Sequence, residues 1–270
     1  MSEVTTLPNG INIYSSAALE KLKDASEIAK TIMAELLENA QEGNSTMELE
    51  LLAQSLIEKN GCAPLFSEHP GYPYCTCMSN NKHIVHGLAS KEKLQNGDIL
   101  SIDLGLRYKG YCSDHARTIC IGGDYHNDHK DLINVGKEAF DLAVQHAYPG
   151  STTGTLGFYV TKASMAYHNE PGNWRSGSKF KIFTDFQGHG IGLDLHEKPA
   201  LPNLGILKKG LKLLEGMCIC IEPVIIYSSS SVIKYQEDGV SQFITSDGLP
   251  SVHYENQVYI SEDGPIVLTL

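Results

Sequence analysis

Over residues 16–42 apolar side chains return at three- and four-residue steps. Ala18, Leu22, Ala25, Ala29, Ile32 and Leu36 fall on one face of a helix, and Gly43 stops the run. Ser45-Thr46-Met47-Glu48 reads as a capping box that opens a second helix, closing at Asn60-Gly61. Short strands are expected near 74–79, 98–107 and 111–121, with Lys109-Gly110 placed as a hairpin turn between the last two. A third helix is predicted over 131–147, ending at Pro149-Gly150, and Ser151-Thr152-Thr153 introduces a fourth near 155–169. After 180 the pattern is strand-rich, at 181–187, 216–226, 231–235, 240–245 and 253–260, with 201–215 a loop.

That order repeats. Helix, glycine stop, Ser/Thr cap, helix and strands occur once from 16 and again from 131, which suggests two α+β halves sharing one sheet. No low-complexity linker divides the chain, so a single domain over 1–270 is expected. Hydrophobic content of 41% and charged content of 20% are those of a globular protein. The net charge of −11 argues against nucleic acid or an anionic membrane as the main partner, because both reward Lys/Arg clusters. No apolar run of about 18 residues predicts a membrane helix. The N-terminal stretch lacks the basic start and apolar core of a signal peptide. Seven cysteines without such a signal read as reduced thiols, and a cytoplasmic location is expected. The C-x-C pairs Cys75/Cys77 and Cys218/Cys220 are read as small buried hydrophobes rather than zinc ligands.

The chemistry concentrates in five residues, Asp103, Asp114, His189, Glu222 and Glu255, each in a strand or a tight glycine turn. Four carboxylates and one imidazole make a hard, oxygen-rich donor set suited to divalent first-row cations, and they can neutralise two. If Lys109-Gly110 is a two-residue turn, Tyr108 pairs with Tyr111, Asp103 faces Ala116, and Asp114 faces Gly105. The two aspartates then share a face as diagonal neighbours, roughly 7–8 Å apart at the backbone. Both strands are rich in isoleucine and leucine, and two buried like charges side by side need a compensating cation. Gly188-His189-Gly190-Ile191-Gly192 is too glycine-rich for a helix, and His196 follows seven residues after His189. Glu222 ends the apolar run Met217–Ile221, and Glu255 lies among strand formers, where a solvent-facing glutamate is an equally good reading. His126-x-x-His129 sits in a polar stretch read as a solvated loop.

With those residues placed, nearly the whole chain resembles the type I methionine aminopeptidases of the pita-bread fold. The resemblance rests on His86-Gly87, the Asp103/Asp114 spacing, Gly188-His189-Gly190-Ile191-Gly192 with His196-Glu197-x-Pro199, Ile221-Glu222-Pro223 and Tyr254-Glu255. It implies two pseudo-symmetric α+β halves around a curved antiparallel sheet with a central dinuclear metal site. By that likeness His189 and Glu222 hold one cation and Asp103 the other, with Asp114 and Glu255 bridging. The ions would be two of Co, Mn, Fe(II) or Zn. His86 would contact substrate near its amine, His196 the scissile carbonyl, and Glu222 would also relay protons. Tyr72, Cys77, Phe186, Leu195 and Val224 are the expected wall of a methionine pocket.

The implied activity is removal of initiator methionine from nascent polypeptide N-termini, with a small second residue preferred. A transient encounter with the ribosome fits that substrate, although no basic extension is present to mediate it. A monomer is expected. The chain departs from the pattern at His115, at His69-Pro70 and at Val240, which bears on substrate stringency. The hairpin looks more like that of Xaa-Pro peptidases, the alternative activity. Against them count the short segment before the strands and the residues flanking Glu255, His253 and Asn256. A third reading, a non-catalytic binding protein of the same fold, conflicts with retention of all five ligands.

Overall fold

In the computed structural model, residues 2–69, 71–123, 127–170, 173–237 and 239–270 are described. Helix α1 spans Ser16–Asn39 and buries Ala18, Leu22, Ala25, Ala29, Ile32 and Leu36, the face read from the sequence. Its N-terminus is capped by Ser15, whose hydroxyl accepts from the Ala18 amide. Helix α2, Thr46–Lys59, opens on the expected capping box, in which Ser45 and Glu48 satisfy each other's backbone N–H groups. Helix α3 runs Asn127–Val144, earlier in the chain than predicted, so His129 belongs to a helix and not to a solvated loop; His126 lies outside the described residues. Helix α4, Thr153–Met165, begins at the Thr152 cap and ends four residues before the prediction, where the chain turns into a short strand at His168–Glu170. An N-terminal hairpin of Val4–Thr6 with Asn12–Tyr14 was not anticipated, since three-residue strands carry too little alternation to read.

Each pair of helices covers its own core. Leu100, Ile102, Leu104 and Leu106 of the long hairpin pack with Ile32, Leu36, Leu49 and Ile57 of α1 and α2. Ile219, Ile221, Val252 and Val258 pack with Leu132, Phe140, Leu156 and Val160 of α3 and α4. The two halves expected from the sequence are therefore present. Their sheet, however, is not one uninterrupted ladder. Ala63–Pro64, Ile99–Tyr108, Thr76–Asn80 and Tyr111–Cys120 form one piece. Glu197–Leu201, Gly188–Gly190, Cys218–Ile221, Asn256–Ser261 and Gly264–Val267 form a second, and Phe180–Ile182, Val224–Tyr227 and Ser251–His253 a third. All these pairings are antiparallel.

The breaks have a common register. Ile221 pairs with Asn256 below the gap, and Val224 pairs with His253 above it, so Glu222 and Glu255 occupy opposed positions within one interrupted ladder. Pro223, which has no N–H to contribute, sits at the interruption, and its carbonyl accepts from the Tyr254 amide. The two halves are stitched at the same place: Ala116 and Glu255 exchange backbone hydrogen bonds of 3.4 and 3.1 Å. Arg117 adds a guanidinium bond of 2.7 Å to the Glu255 carbonyl.

Candidate metal centre and active site

The hairpin register is the one the Lys109-Gly110 turn dictates, with Tyr108 opposite Tyr111, Asp103 opposite Ala116 and Gly105 opposite Asp114. Both turn residues have positive φ, 47° and 85°, as a tight two-residue hairpin requires. On its other edge Asp103 pairs with Cys77. A cross-strand row thus runs Cys77, Asp103, Ala116, Glu255, Glu222 through both halves of the protein. Opposed residues share a face, so three carboxylates of this row converge over the small side chain of Ala116, and Asp114 joins them diagonally.

His189 enters from the neighbouring strand, paired with Cys220. Its glycine neighbours are demanded by crowding. A Cβ at Gly188 would lie 2.3 Å from the Cys220 carbonyl oxygen, and one at Gly190 2.3 Å from that of Lys198. The strand Glu197–Leu201 folds back on Gly188–Gly190, which returns His196 over the site with its ring 4.5 Å from that of His189. The His189 Nδ1 lies 2.9 Å from the Gly190 carbonyl, which can only accept, so Nδ1 carries the proton and Nε2 presents its lone pair. That Nε2 is 3.3 Å from a Glu222 oxygen. Asn203 fixes Glu222 from behind by donating to its carbonyl at 2.9 Å.

Charge is the dominant problem in this cluster. Burial, reinforced for Asp114 by Glu255, Asp103 and Glu222, raises the carboxyls of Asp114, Glu222 and Glu255 well above the ordinary range. Burial pushes Asp103 up to about 6. It lowers the imidazoles, His189 to about 3 and His86 to about 4, with His196 and His253 moved in the same direction. Among the described residues, Asp103 Oδ1, Asp114 Oδ1, Glu255 Oε1 and His253 Nε2 are buried without a hydrogen-bond partner. Donor atoms of Asp114, His189, Cys220 and Glu255, and again of Asp103, His253 and Glu255, lie within 4.8 Å of one another. Mutually repelling, unpartnered acceptors beside neutral imidazoles are what divalent cations satisfy, so the residues present fit a metal centre.

The cluster floors a cavity of about 630 Å³. Tyr72, Cys77, Phe186 and Leu195 are on its wall, together with His86, His196 and His69. Val224 is not: it is buried in the cluster of Ile84, Val85, Phe183 and Phe243, one layer behind the surface that Val85 and Phe186 present. It pairs with His253 past the Glu222–Pro223 break. Phe66 also lines the wall, and its ring would collide at 2.8 Å with a Cβ at position 105, so Gly105 makes room for an aromatic. His86, at φ 58°, stands with its ring 4.7 Å from Phe186. His69 lies 5.5 Å from His196, ring to ring; Pro70 lies outside the described residues. His115 pairs with Leu104 and is buried, and it does not line the cavity. Sequence reasoning missed His253 as a site residue. Its alternation with Glu255 on neighbouring strand positions was the available signal.

The model of metallopeptidase family M24 matches residues 20–262. The chain belongs to metallopeptidase family M24. It is 35% identical over 269 residues to a methionine aminopeptidase of Aquifex aeolicus, covering 96% of this chain and 98% of that one. A methionine aminopeptidase from Rickettsia prowazekii superposes with a TM-score of 0.88 at 26% identity, across 96% of this chain and all of the other. A prolidase from Pyrococcus furiosus gives a TM-score of 0.72 at 27% identity, and there the match spans 65% of the longer chain. The pita-bread fold of this M24 enzyme follows, and so does its dependence on divalent metal. Among the described residues, no helix is long and apolar enough to cross a membrane.

Proposed function

We propose that this M24 peptidase removes the N-terminal methionine of newly made polypeptides, favouring a small second residue. The observation that carries the reading is the union of the carboxylate row with a walled cavity of about 630 Å³ whose apolar lining includes Phe66, Tyr72, Cys77, Phe186 and Leu195. An unbranched thioether packs well against such aromatic edges. The near end-to-end match with methionine aminopeptidases supports it, whereas the prolidase match leaves a third of that chain uncovered. A cytoplasmic site of action, a monomeric state and a passing encounter with the ribosome accord with this substrate.

Asp103, Asp114, His189, Glu222 and Glu255 would hold the cations. When bound, these would lower the pKa of a water and polarise the scissile carbonyl. The remaining work falls to the chain. Glu222, at the ladder break, is placed to take a proton from the attacking water and pass it to the leaving amine. His196, kept neutral, offers an N–H to the carbonyl oxygen and strengthens that bond as negative charge develops. His86, also neutral, faces the substrate's amino end, and Phe186 holds its ring edge-on. The aromatic wall orients the methionine side chain and keeps solvent from it. A peptide panel tests the reading. Met-Ala-Ser and Met-Gly-Ser should turn over faster than Met-Leu-Ser, and all faster than Xaa-Pro peptides. Preferred cleavage of Xaa-Pro would replace this function with a prolidase activity.

A further inference from the structure

The buried cluster holds a second imidazole that the five-ligand pattern does not use. We propose that His253 is a sixth protein ligand, binding through Nε2 the cation held by Asp103, so that each of the two ions has one nitrogen donor. This inference rests on the two-metal reading above and assigns a residue that reading leaves without a task.

The backbone of His253 is pinned from the opposite half of the protein. Its amide donates to Thr118 Oγ1 at 3.0 Å, and the Thr118 hydroxyl donates back to its carbonyl at 2.8 Å. Strand alternation puts its side chain on the face used by Glu255, two residues on. Nε2 lies 3.6 Å from Glu255 Oε2 and 3.8 Å from Glu222 Oε2. Both separations are too long for hydrogen bonds, and the nitrogen is buried without a partner among the described residues. A satisfied His–carboxylate pair would have closed to about 2.8 Å. With metal–donor bonds of about 2.1 Å, adjacent donors of a six-coordinate ion stand about 3.0 Å apart and opposite donors about 4.2 Å. The separation of His253 from Glu255, the bridging carboxylate, falls between those limits. The Asp103, His253 and Glu255 donors as a group lie within 4.8 Å of one another.

On the other side, His189 Nε2 is 3.3 Å from Glu222 Oε1. The two imidazoles therefore approach the carboxylate row from different strands. A nitrogen donor on both ions would turn the whole centre away from Mg²⁺ or Ca²⁺ and toward later first-row metals.

Cadmium-113 NMR of the full chain labelled with [¹⁵N]histidine tests this directly, since a one-bond ¹¹³Cd–¹⁵N coupling reports a bond. With two equivalents of ¹¹³Cd bound, both resonances should be doublets, each split by a single nitrogen. In His253→Gln one doublet should collapse to a singlet while the other persists. Manganese titration of the same variant should show the weaker site losing more than the roughly 10–100-fold expected of an outer-shell partner. Two bound ions with one resonance unsplit in the unsubstituted protein would overturn the His253 ligand and leave the two-metal reading standing. Failure to bind two ions would overturn both. The unsubstituted spectrum decides the matter even if the variant folds poorly.

Discussion

Glu50 on α2 and Glu255 at the break in the central ladder are withdrawn from solvent almost equally, at 0% and 2% exposure. Their surroundings differ completely. Glu50 accepts from the amides of Cys75 and Thr76 at 2.8 and 3.1 Å, from the Thr76 hydroxyl, and from Gln54. It ties α2 to the start of the Thr76–Asn80 strand, and its acceptor capacity is used. Glu255 has three acidic neighbours, an unpartnered Oε1 and a carboxyl raised by burial and then by Glu222 and Asp103. Depth of burial alone therefore does not separate a structural carboxylate from a candidate ligand. The separating property is whether the protein itself completes the hydrogen bonding.

The comparison predicts opposite outcomes for substitutions in the two regions. Asp114→Ala should lose both cations and more than about 10³-fold in activity, beyond the 10–100-fold typical of an outer-shell partner. The metal-free variant should unfold at the same temperature as metal-free parent or higher, because a buried carboxyl with an unpartnered oxygen is gone. Metal analysis and a thermal melt check both halves. His196→Ala sharpens the contrast by separating chemistry from metal binding. It should keep its metal and a near-normal KM while kcat falls about 10²–10³-fold, or roughly 3–4 kcal/mol of barrier. Loss of metal from this variant, or parental kcat, would remove His196 from the oxyanion role.

Glu50→Ala should do the reverse of Asp114→Ala. Two buried amides lose their acceptor, which costs about 2–5 kcal/mol of stability. Metal stoichiometry and kcat per folded molecule should be retained, as denaturant melts with active-site titration would show. The smallest effect is in pH. Without cations, the raised carboxyls of the row keep protons that the unfolded chain has released, so their stabilising share is lost as pH rises through their folded values. The depressed imidazoles act in the opposite sense only below about 6.5. Between pH 7 and 8 the stability gap between metal-loaded and chelated protein should therefore widen, by about 1.4 kcal/mol for each proton the site retains. A constant gap across that interval would mean that the row ionises freely without metal.

The sequence made the hairpin legible because its register is local. A two-residue turn at Lys109-Gly110 leaves one way to pair Asp103 with Ala116 and Asp114 with Gly105, and the structure follows it. His196 was legible for a similar reason, since a glycine-rich turn seven residues away can fold back within one hairpin. The opposition of Glu222 and Glu255 depends on pairing across more than thirty positions and on the Pro223 interruption, neither of which local spacing encodes. Val224 was misplaced for the same reason, as its neighbours Ile84, Phe183 and Phe243 come from three other strands or loops. His253 reads in the sequence only as a departure beside Glu255, because two of the groups that single it out, Glu222 and Asp103, are distant in sequence. The N-terminal hairpin contributes Tyr14, which donates to Glu197 at 2.6 Å and so steadies the turn beside His196. Nothing in the periodicity of residues 4–14 announced that role.

The central claim is that the carboxylate row holds two ions and that turnover requires them. Chelator-treated protein titrated with Mn²⁺ or Co²⁺ tests it when bound metal and Met-Ala-Ser hydrolysis are measured in the same samples. The account predicts no hydrolysis at zero metal, recovery as metal binds, and two ions per chain at saturation. Full hydrolysis by protein whose metal content is verified as nil would contradict it.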